Sequence, residues 1–534
     1  MDYNCNNNSI LSRFISCFFV SSRMQGKKQR TSKFFYQFSL EKAVPADHIY
    51  RRIDQALDLR FLYKRTRSYY GKDGQQSIDP VVFFKMCLIG YLNNISGDRP
   101  LCRYCSDSLA CRWFLGYDID EPLPVHSTLS RSRALFGESL YVEVFAKILA
   151  LCVDAGMVSG KRQAADSALI KANASVDSMS RDVIMADASA YCRQVLRENT
   201  DRPEPPEPAP VKKEEEPPAS PPARLASVDV PEPDPSRKRT RSNRTHTSGS
   251  DPDARLARKP NKPFDMYYQG HISVDDARGV IVAALADYGD KCEHESLDRL
   301  LNQSLANLSG DKLGLKELLA DSKYNTHPTL EMCEAAGITP YMNNPSGYKP
   351  DRDGFLYDEA SDSYRCPQGI ELSFKGERKN HGKYLNRVYS SRVADCAHCP
   401  LRGSCLSGKQ TYKTIYHSSG KEFYDRMDAR LQTDKGRAMI AKRKGIVEPV
   451  FGTLIHHNAM KKSFARGKAA ASKHVLMASA AFNLKKWLKM PGKSPQRGAC
   501  SIGKTVFDPL WPNWLQKNTI LSFLTGHVKM RPAY

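Results

Sequence analysis

From Thr200 to Lys259 the chain runs PEPPEPAPVKKEEEPPASPPARL and later SRKRTRSNRTH. Proline blocks and runs of like charge bury too little apolar surface to offset the entropy of ordering, so residues 199–259 are expected to be a disordered insertion. Any packed core must come from the segments before and after it. The cluster Arg237, Lys238, Arg239 and Arg241 either touches phosphates or is an idle solvated run.

Upstream, the chain reads as helical from about Leu40 to Met157. Asp79 and Pro80 form an N-cap and first-turn pair ahead of VVFFKMCLIGYL, whose all-round apolarity predicts a buried helix. SLYVEVFAKILALCVDAG predicts another, closed at Gly156. Arg99, Arg103, Arg112, Arg131 and Arg133 lie between them, as a solvated basic face or as DNA contacts.

After Gly156 the pattern becomes extended, with a strand through Gln163 to Ala165 leading into Asp166. Beyond the insertion, HISVD and GVIVAALAD predict a hairpin turning at Gly279. Leu297, Leu301, Leu305 and Leu308 recur at helical spacing. A strand ending at Asp321, a helix over about Pro328 to Ala336 and a strand ITPYM complete a mixed sheet with helices packed on it, an α/β class. Each aspartate is expected at or near a strand end. A cysteine-bearing insertion, 346–432, interrupts the alternation, and helix returns past Asp434 with Val447, Phe451, Leu454 and Ile455 on one face beside Glu448. Pro449 marks a first turn or a kink there.

The balance of 80 Lys plus Arg against 58 Asp plus Glu, a net charge of +22, is that of a nucleic-acid partner, although solubility or an acidic membrane surface could also produce it. The fifteen cysteines, scattered through a long chain, suggest reduced thiols in a cytosol. ILSRFISCFFV carries Arg13 and is too short to span a membrane, so no membrane association and a cytoplasmic location are expected. Met24 is an alternative start.

Asp166, Asp321 and Glu448 stand in pointed contexts, Glu448 within the cationic stretch KRKGIVEPVFGTLIHHNAMKKSFARG. Acids held among Lys and Arg suit divalent ions working on a phosphate backbone, although spacing alone fits surface or capping carboxylates as well. Cys366, Cys396, Cys399 and Cys405, in CPQG and CAHCPLRGSC, could ligate Zn²⁺ tetrahedrally, with His398 as an alternative ligand, or remain unmetallated.

Several ordered segments carry a resemblance: SLEKAVPADHIYRRID, DPVVFFKMCLIGYLNNISGDRPL, HSTLSRSR, ADSALIKANAS, SDPDARLARKP, ADSKYNT and VEPVFGTL. Together they resemble the DDE transposases of bacterial insertion sequences, specifically the eleven-eighty-two group, related to the IS-four and IS-five types. The resemblance runs from about Leu40 to Leu488 outside the insertion. It implies a ribonuclease-H-like catalytic core over 158–345 and 433–490, an all-helical N-terminal domain over 40–157, and tails at 1–39 and 491–534. It also implies that Asp166, Asp321 and Glu448 are the catalytic triad, holding two Mg²⁺ or Mn²⁺ ions, with Asp166 bridging.

The implied reaction is cleavage at the element's ends and attack of the 3′ hydroxyl on target DNA, with no covalent enzyme intermediate. The implied partner is double-stranded DNA with terminal inverted repeats, bound by a homodimer or larger assembly. Two rivals are a DNA-binding protein that no longer cuts and a nuclease without strand transfer. In related families a tyrosine, a basic residue and a lysine flank the glutamate at fixed steps. Here Lys444 fits the basic step, but Ala441 and Ile455 occupy the others, leaving Lys461, Lys462 and Arg466 as substitute DNA contacts alongside Arg99 and Arg131. Lys323 stands where the second-aspartate motif usually carries a glycine before its tyrosine.

Overall fold

The computed structural model describes residues 37–71, 77–181, 241–260, 262–309, 313–344, 348, 354–380 and 384–490. Arg237, Lys238 and Arg239, most of the proline-rich insertion and the C-terminal tail lie outside them. The chain divides into two units after Ala46. In the first, Leu40–Ala43 is helical. The other elements belong to the second.

Among the described residues, seven α-helices open the second unit: α1 (Ile49–Ala56), α2 (Phe61–Thr66), α3 (Pro80–Leu92), α4 (Asp98–Asp107), α5 (Leu109–Leu115), α6 (His126–Leu135) and α7 (Glu138–Asp154). Asp79 caps α3 by accepting from Val81 N–H at 2.7 Å, with Pro80 in the first turn, and the helix is buried nearly all round. Gly156, at φ 68°, ends the turn after α7 in the left-handed conformation that glycine adopts freely. Arg133 is not on a solvated face: it is buried, grips Asp98 through two hydrogen bonds of 2.7 Å and lies over Phe464. Arg112 likewise spends its donors on the carbonyls of Ser106, Asp118 and Glu121.

The central sheet comes next. Its strands are β1 (Arg162–Lys171), β4 (Arg255–Ala257), β5 (Asp265–Asp275), β6 (Ile281–Tyr288), β7 (Glu317–Ala320) and β8 (Thr339–Met342), while β2 (Met179–Arg181) and β3 (His246–Ser248) form a separate antiparallel pair. β5 lies between β1 and β6, antiparallel to both, and β7 then β8 continue from β1 in parallel. Between β6 and β7 lies α8 (Leu297–Leu308), and between β7 and β8 lies α9 (His327–Ala335). The α8 stripe buries Leu300 and Ser304 beside Leu297, Leu301 and Leu308, and leaves Leu305 half-buried.

The expected insertion at 199–259 ends earlier than its composition implies. Residues 241–257 are built into the fold, and β4 pairs with the start of β5. The reason is a set of specific polar contacts: Asp251 accepts from Tyr268 Oη at 2.6 Å and from Gly467 N–H at 3.0 Å, and Asp253 accepts from Lys468 N–H at 2.9 Å.

In the cysteine-bearing insertion, β9 (Leu356–Asp358), β10 (Ser363–Arg365), β11 (Glu371–Asn380), β12 (Tyr384–Ser390) and β13 (Thr414–Ser418) form an antiparallel sheet in the order β13-β12-β11-β10-β9. Its own small core holds Phe355, Tyr364, Leu372, Tyr389 and Ile415. Two short helices, α10 (Val393–Ala397) and α11 (Arg402–Cys405), lie between β12 and β13. The helix α12 (Lys421–Gln432), placed in the insertion by its sequence position, instead buries Tyr424 and Met427 with the residues of α8, α9 and β7. The insertion's sheet ends at Ser418, ahead of α12.

Two long helices close the fold, α13 (Asp434–His457) and α14 (Lys468–Leu488). α14 packs on α3, α7, β5 and β6, so the helical region and the sheet share one hydrophobic core. The Asn483 side chain bonds both the N–H and the carbonyl of Ile281, at 2.9 and 2.7 Å, fixing α14 to the start of β6. No helix among the described residues is long and apolar enough to cross a membrane.

Candidate metal centre

β1 outruns its neighbour. It pairs with β7 only from Arg162 to Ala164, and Asp166 lies two residues beyond that pairing, in mid-strand rather than at a strand end. β7 stops at Ala320, so Asp321 is the first residue past its end. The two aspartates thus meet on the open side of β1 where β7 has stopped. Asp321 is fixed by a tight turn, its Oδ1 accepting from Lys323 N–H at 2.9 Å and its carbonyl from Tyr324 N–H at 3.1 Å. Tyr324 is fully buried beneath it, with its hydroxyl 3.5 Å from His271 Nδ1.

A third carboxylate joins them. Glu293 begins a short helical turn, Glu293–Ser296, after β6, and Asp166, Glu293 and Asp321 place carboxylate oxygens within 4.8 Å of one another. Glu293 is only 5 % exposed. Its Oε1 accepts from Lys323 at 2.7 Å and Lys259 at 2.9 Å, while its Oε2 is buried without a hydrogen bond of ordinary geometry. Burial pushes the Glu293 carboxyl up, but the Lys259 and Lys323 ammonium groups, with the Ser167 hydroxyl, more than offset it and hold it below the ordinary value. At Asp166 burial prevails. Its carboxyl lies above the ordinary value despite the Ser167 N–H and the Arg443 guanidinium, with Asp321 and Glu293 adding repulsion.

Arg443 reaches Asp166 Oδ2 at 3.1 Å from α13, which packs across β1, β7 and β8. Glu448 lies five residues further along that helix, ~7.5 Å down the axis and about 140° around it. It is exposed and is not among the clustered carboxylates, so the structure brings Asp166 and Asp321 together without it. Pro449 sits inside α13, neither starting it nor ending it. It leaves the Gly445 carbonyl without its intrahelical donor.

The sequence-predicted cations divide by environment. Lys444, Lys461, Lys462, Arg466, Arg99 and Arg131 are exposed. Lys462 bridges to Lys171 and Ser463 N–H donates to the Lys171 carbonyl at 2.9 Å, so the Lys461–Lys462 segment flanks the far end of β1. That end lies about 16 Å from Asp166 at ~3.3 Å per residue. Nothing in the sequence alone singles out Glu293, Lys259 or Arg443. The only hint of Glu293 is an acid downstream of a predicted strand, a description that Asp290 and Glu295 share.

Cys366, Cys396, Cys399 and Cys405 are free, half-buried thiols around one end of the insertion's sheet. Among the described residues the acidic trio alone puts three metal-ligating atoms within 4.8 Å of one another, so no three of the four thiols do. Zinc bound by thiolates at ~2.3 Å requires sulfurs about 3.8 Å apart, and the thiols as placed do not form that closed set.

Oxygen donors alone, converging from separate elements with one buried oxygen lacking an ordinary hydrogen bond, suit a hard divalent cation. Two comparisons with known families bear on the chain. The transposase domain DUF772 matches residues 38–135, and a transposase DDE domain matches residues 365–488. The second takes in Glu448 and the four cysteines, and the clustered carboxylates lie between the two matches. No curated protein matches the chain. The chain thus carries a transposase domain in its helical region and a transposase DDE domain through its last two helices, the pairing expected of a DDE transposase of an insertion sequence.

Proposed function

We propose that this transposase cuts phosphodiesters at the ends of its insertion sequence and joins the freed 3′ hydroxyl to target DNA. The carrying observation is the meeting of Asp166 and Asp321, far apart in sequence, beside the open edge of β1. The strand order β6-β5-β1-β7-β8, antiparallel on one side of β1 and parallel on the other, supports a ribonuclease-H-like core. Within the family, the ordered motifs favour the eleven-eighty-two group.

Asp166 and Asp321 would hold Mg²⁺ or Mn²⁺, and the resemblance adds Glu448 from the helix that crosses them. Such ions, when bound, lower the pKa of the attacking water or 3′ hydroxyl and stabilise the leaving oxygen. The chain's own residues orient the reaction. The turn at Lys323 and Tyr324 fixes Asp321, Arg443 neutralises Asp166 in the metal-free protein, and the exposed Lys444, Lys461, Lys462 and Arg466 face phosphates, with Arg99 and Arg131 doing so from the helical region. The partner is double-stranded DNA bearing terminal inverted repeats, and joining two ends calls for at least a dimer on DNA. That Glu448 is not among the clustered carboxylates favours one alternative, a DNA-binding protein that no longer cuts.

The test uses supercoiled DNA carrying both element ends. The wild type should cleave it with Mg²⁺ or Mn²⁺, and Asp166→Asn, Asp321→Asn and Glu448→Gln should each reduce cleavage to background while retaining DNA binding in chelator. Full cleavage by any one variant removes that residue from the triad. Binding without cleavage by the wild type selects the alternative.

A further inference from the structure

We infer that Glu293 is a further ligand of the metal centre, sharing a divalent cation with Asp166 and Asp321, and that Lys259 and Lys323 balance its charge until the cation arrives. The inference rests on reading the aspartate pair as the metal centre. Three carboxylates in contact repel one another, and a chain that needed only a structural ion pair would gain nothing by burying the acid of that pair against two further acids. Glu293 is held there from a separate element, the turn after β6, and is more buried than either aspartate.

Its bonding is lopsided. Both lysines converge on Oε1 and the Ser167 hydroxyl also interacts with the carboxylate, yet Oε2 is buried without a hydrogen bond of ordinary geometry, although a buried carboxylate oxygen normally has a partner. A divalent cation among the three residues would give that oxygen its missing positive partner. Lys323 is suited to yield: its side chain is 54 % exposed, so its ammonium can swing into solvent or onto a DNA phosphate when a cation takes over the charge. Lys259 is better buried and also lies 3.3 Å from Ser167 Oγ, so it stays as a fixed brace behind the acid.

The experiment is Mn²⁺ binding to full-length, chelator-stripped protein, monitored by calorimetry and by the spin-resonance signal of free Mn²⁺. Wild type, Glu293→Gln, Lys323→Met and Asp166→Asn are compared, with folding checked by circular dichroism. Glu293→Gln should weaken Mn²⁺ binding tenfold or more, and Lys323→Met, which removes a competing cation, should tighten it several-fold. If Asp166→Asn weakens binding but neither of the other two changes it, Glu293 is only an ion-pair partner and the inference fails. If Asp166→Asn also leaves binding unchanged, the metal-centre reading itself fails. Should Glu293→Gln not fold, Lys323→Met decides alone: tighter binding supports the inference, and unchanged binding overturns it.

Discussion

At Asp166 burial works against ionisation, and the folded carboxyl lies above its unfolded value. A carboxyl raised in this way holds its proton more tightly when folded. Its contribution is therefore favourable below the ordinary carboxylate range and is lost as pH rises through the folded value. At neutral pH the metal-free protein thus carries a charge that disfavours folding, relieved in part by Arg443. Asp166→Asn should raise the thermal midpoint of the metal-free protein at pH 7 even as it abolishes cleavage, and calorimetry would refute this by showing a lower midpoint. His271 and His474 have the opposite sign. Burial pushes both down to about 4, so they are neutral when folded and must take up protons on unfolding. Their contribution is complete above about 6.5 and is lost as pH falls toward 4, at up to ~1.4 kcal/mol per pH unit for each. In His474→Gln, which can still bond the Tyr91 hydroxyl, urea titrations between pH 6.5 and 4 should show a shallower loss by about one such slope. An unchanged slope would mean that His474 does not titrate in this window.

At the scale of elements, the N-terminus of α14 is the junction that the sequence conceals most. Its N-cap is Gly467, which has no side chain to offer, and Asp251 and Asp253 supply the acceptors from a distant segment. Carboxylates at a helix N-terminus satisfy free N–H groups and complement the helix dipole. Asp253→Ala should therefore cost about 1 kcal/mol and Asp251→Ala about 3 kcal/mol, since the latter also strands the buried Tyr268 hydroxyl. Equal urea midpoints for the two variants and the wild type would refute the capping role. The same junction shows what was legible. The helices flanking the insertion, the hairpin at Gly279 and the strands before Asp166 and Asp321 follow from local periodicity, and the structure has them. Residues 241–257 read as insertion from their composition, although SDPDARLARKP at 250–260 already carries the resemblance, because their order comes from tertiary partners at Tyr268, Gly467 and Lys468. Glu293 was hidden for the same reason, since only the fold distinguishes it from neighbouring acids, and Arg133 owes its burial to Asp98 rather than to any apolar pattern.

Over the whole molecule, the proline-rich segment interrupts a fold that is already closed around it. β2 ends at Arg181 directly opposite His246 of β3, so the two ends of the long connection are held side by side as the arms of a hairpin. Arg241 is tied close by as well, donating to the Val176 carbonyl at 3.0 Å. Deleting 182–240 would join Arg181 to Arg241 and leave Arg241–Thr245 as the loop, within the 2–5-residue range common for hairpins. Closing a loop of about five residues in place of one of roughly sixty lowers the entropic cost by up to ~2 kcal/mol. The shortened protein should unfold in one cooperative transition, because α14 joins the helical region and the sheet in a single core, and its urea midpoint should equal or exceed that of the full chain. It should also keep metal-dependent cleavage, since the deletion removes none of Asp166, Glu293, Asp321 and Glu448. DNA binding measured against salt gives an independent readout. Each lost phosphate contact would reduce the slope of log affinity on log salt by about 0.9, and an unchanged slope is expected if Arg237, Lys238 and Arg239 are only solvated. A broadened transition or a lower midpoint would show instead that the segment contributes to the folded structure.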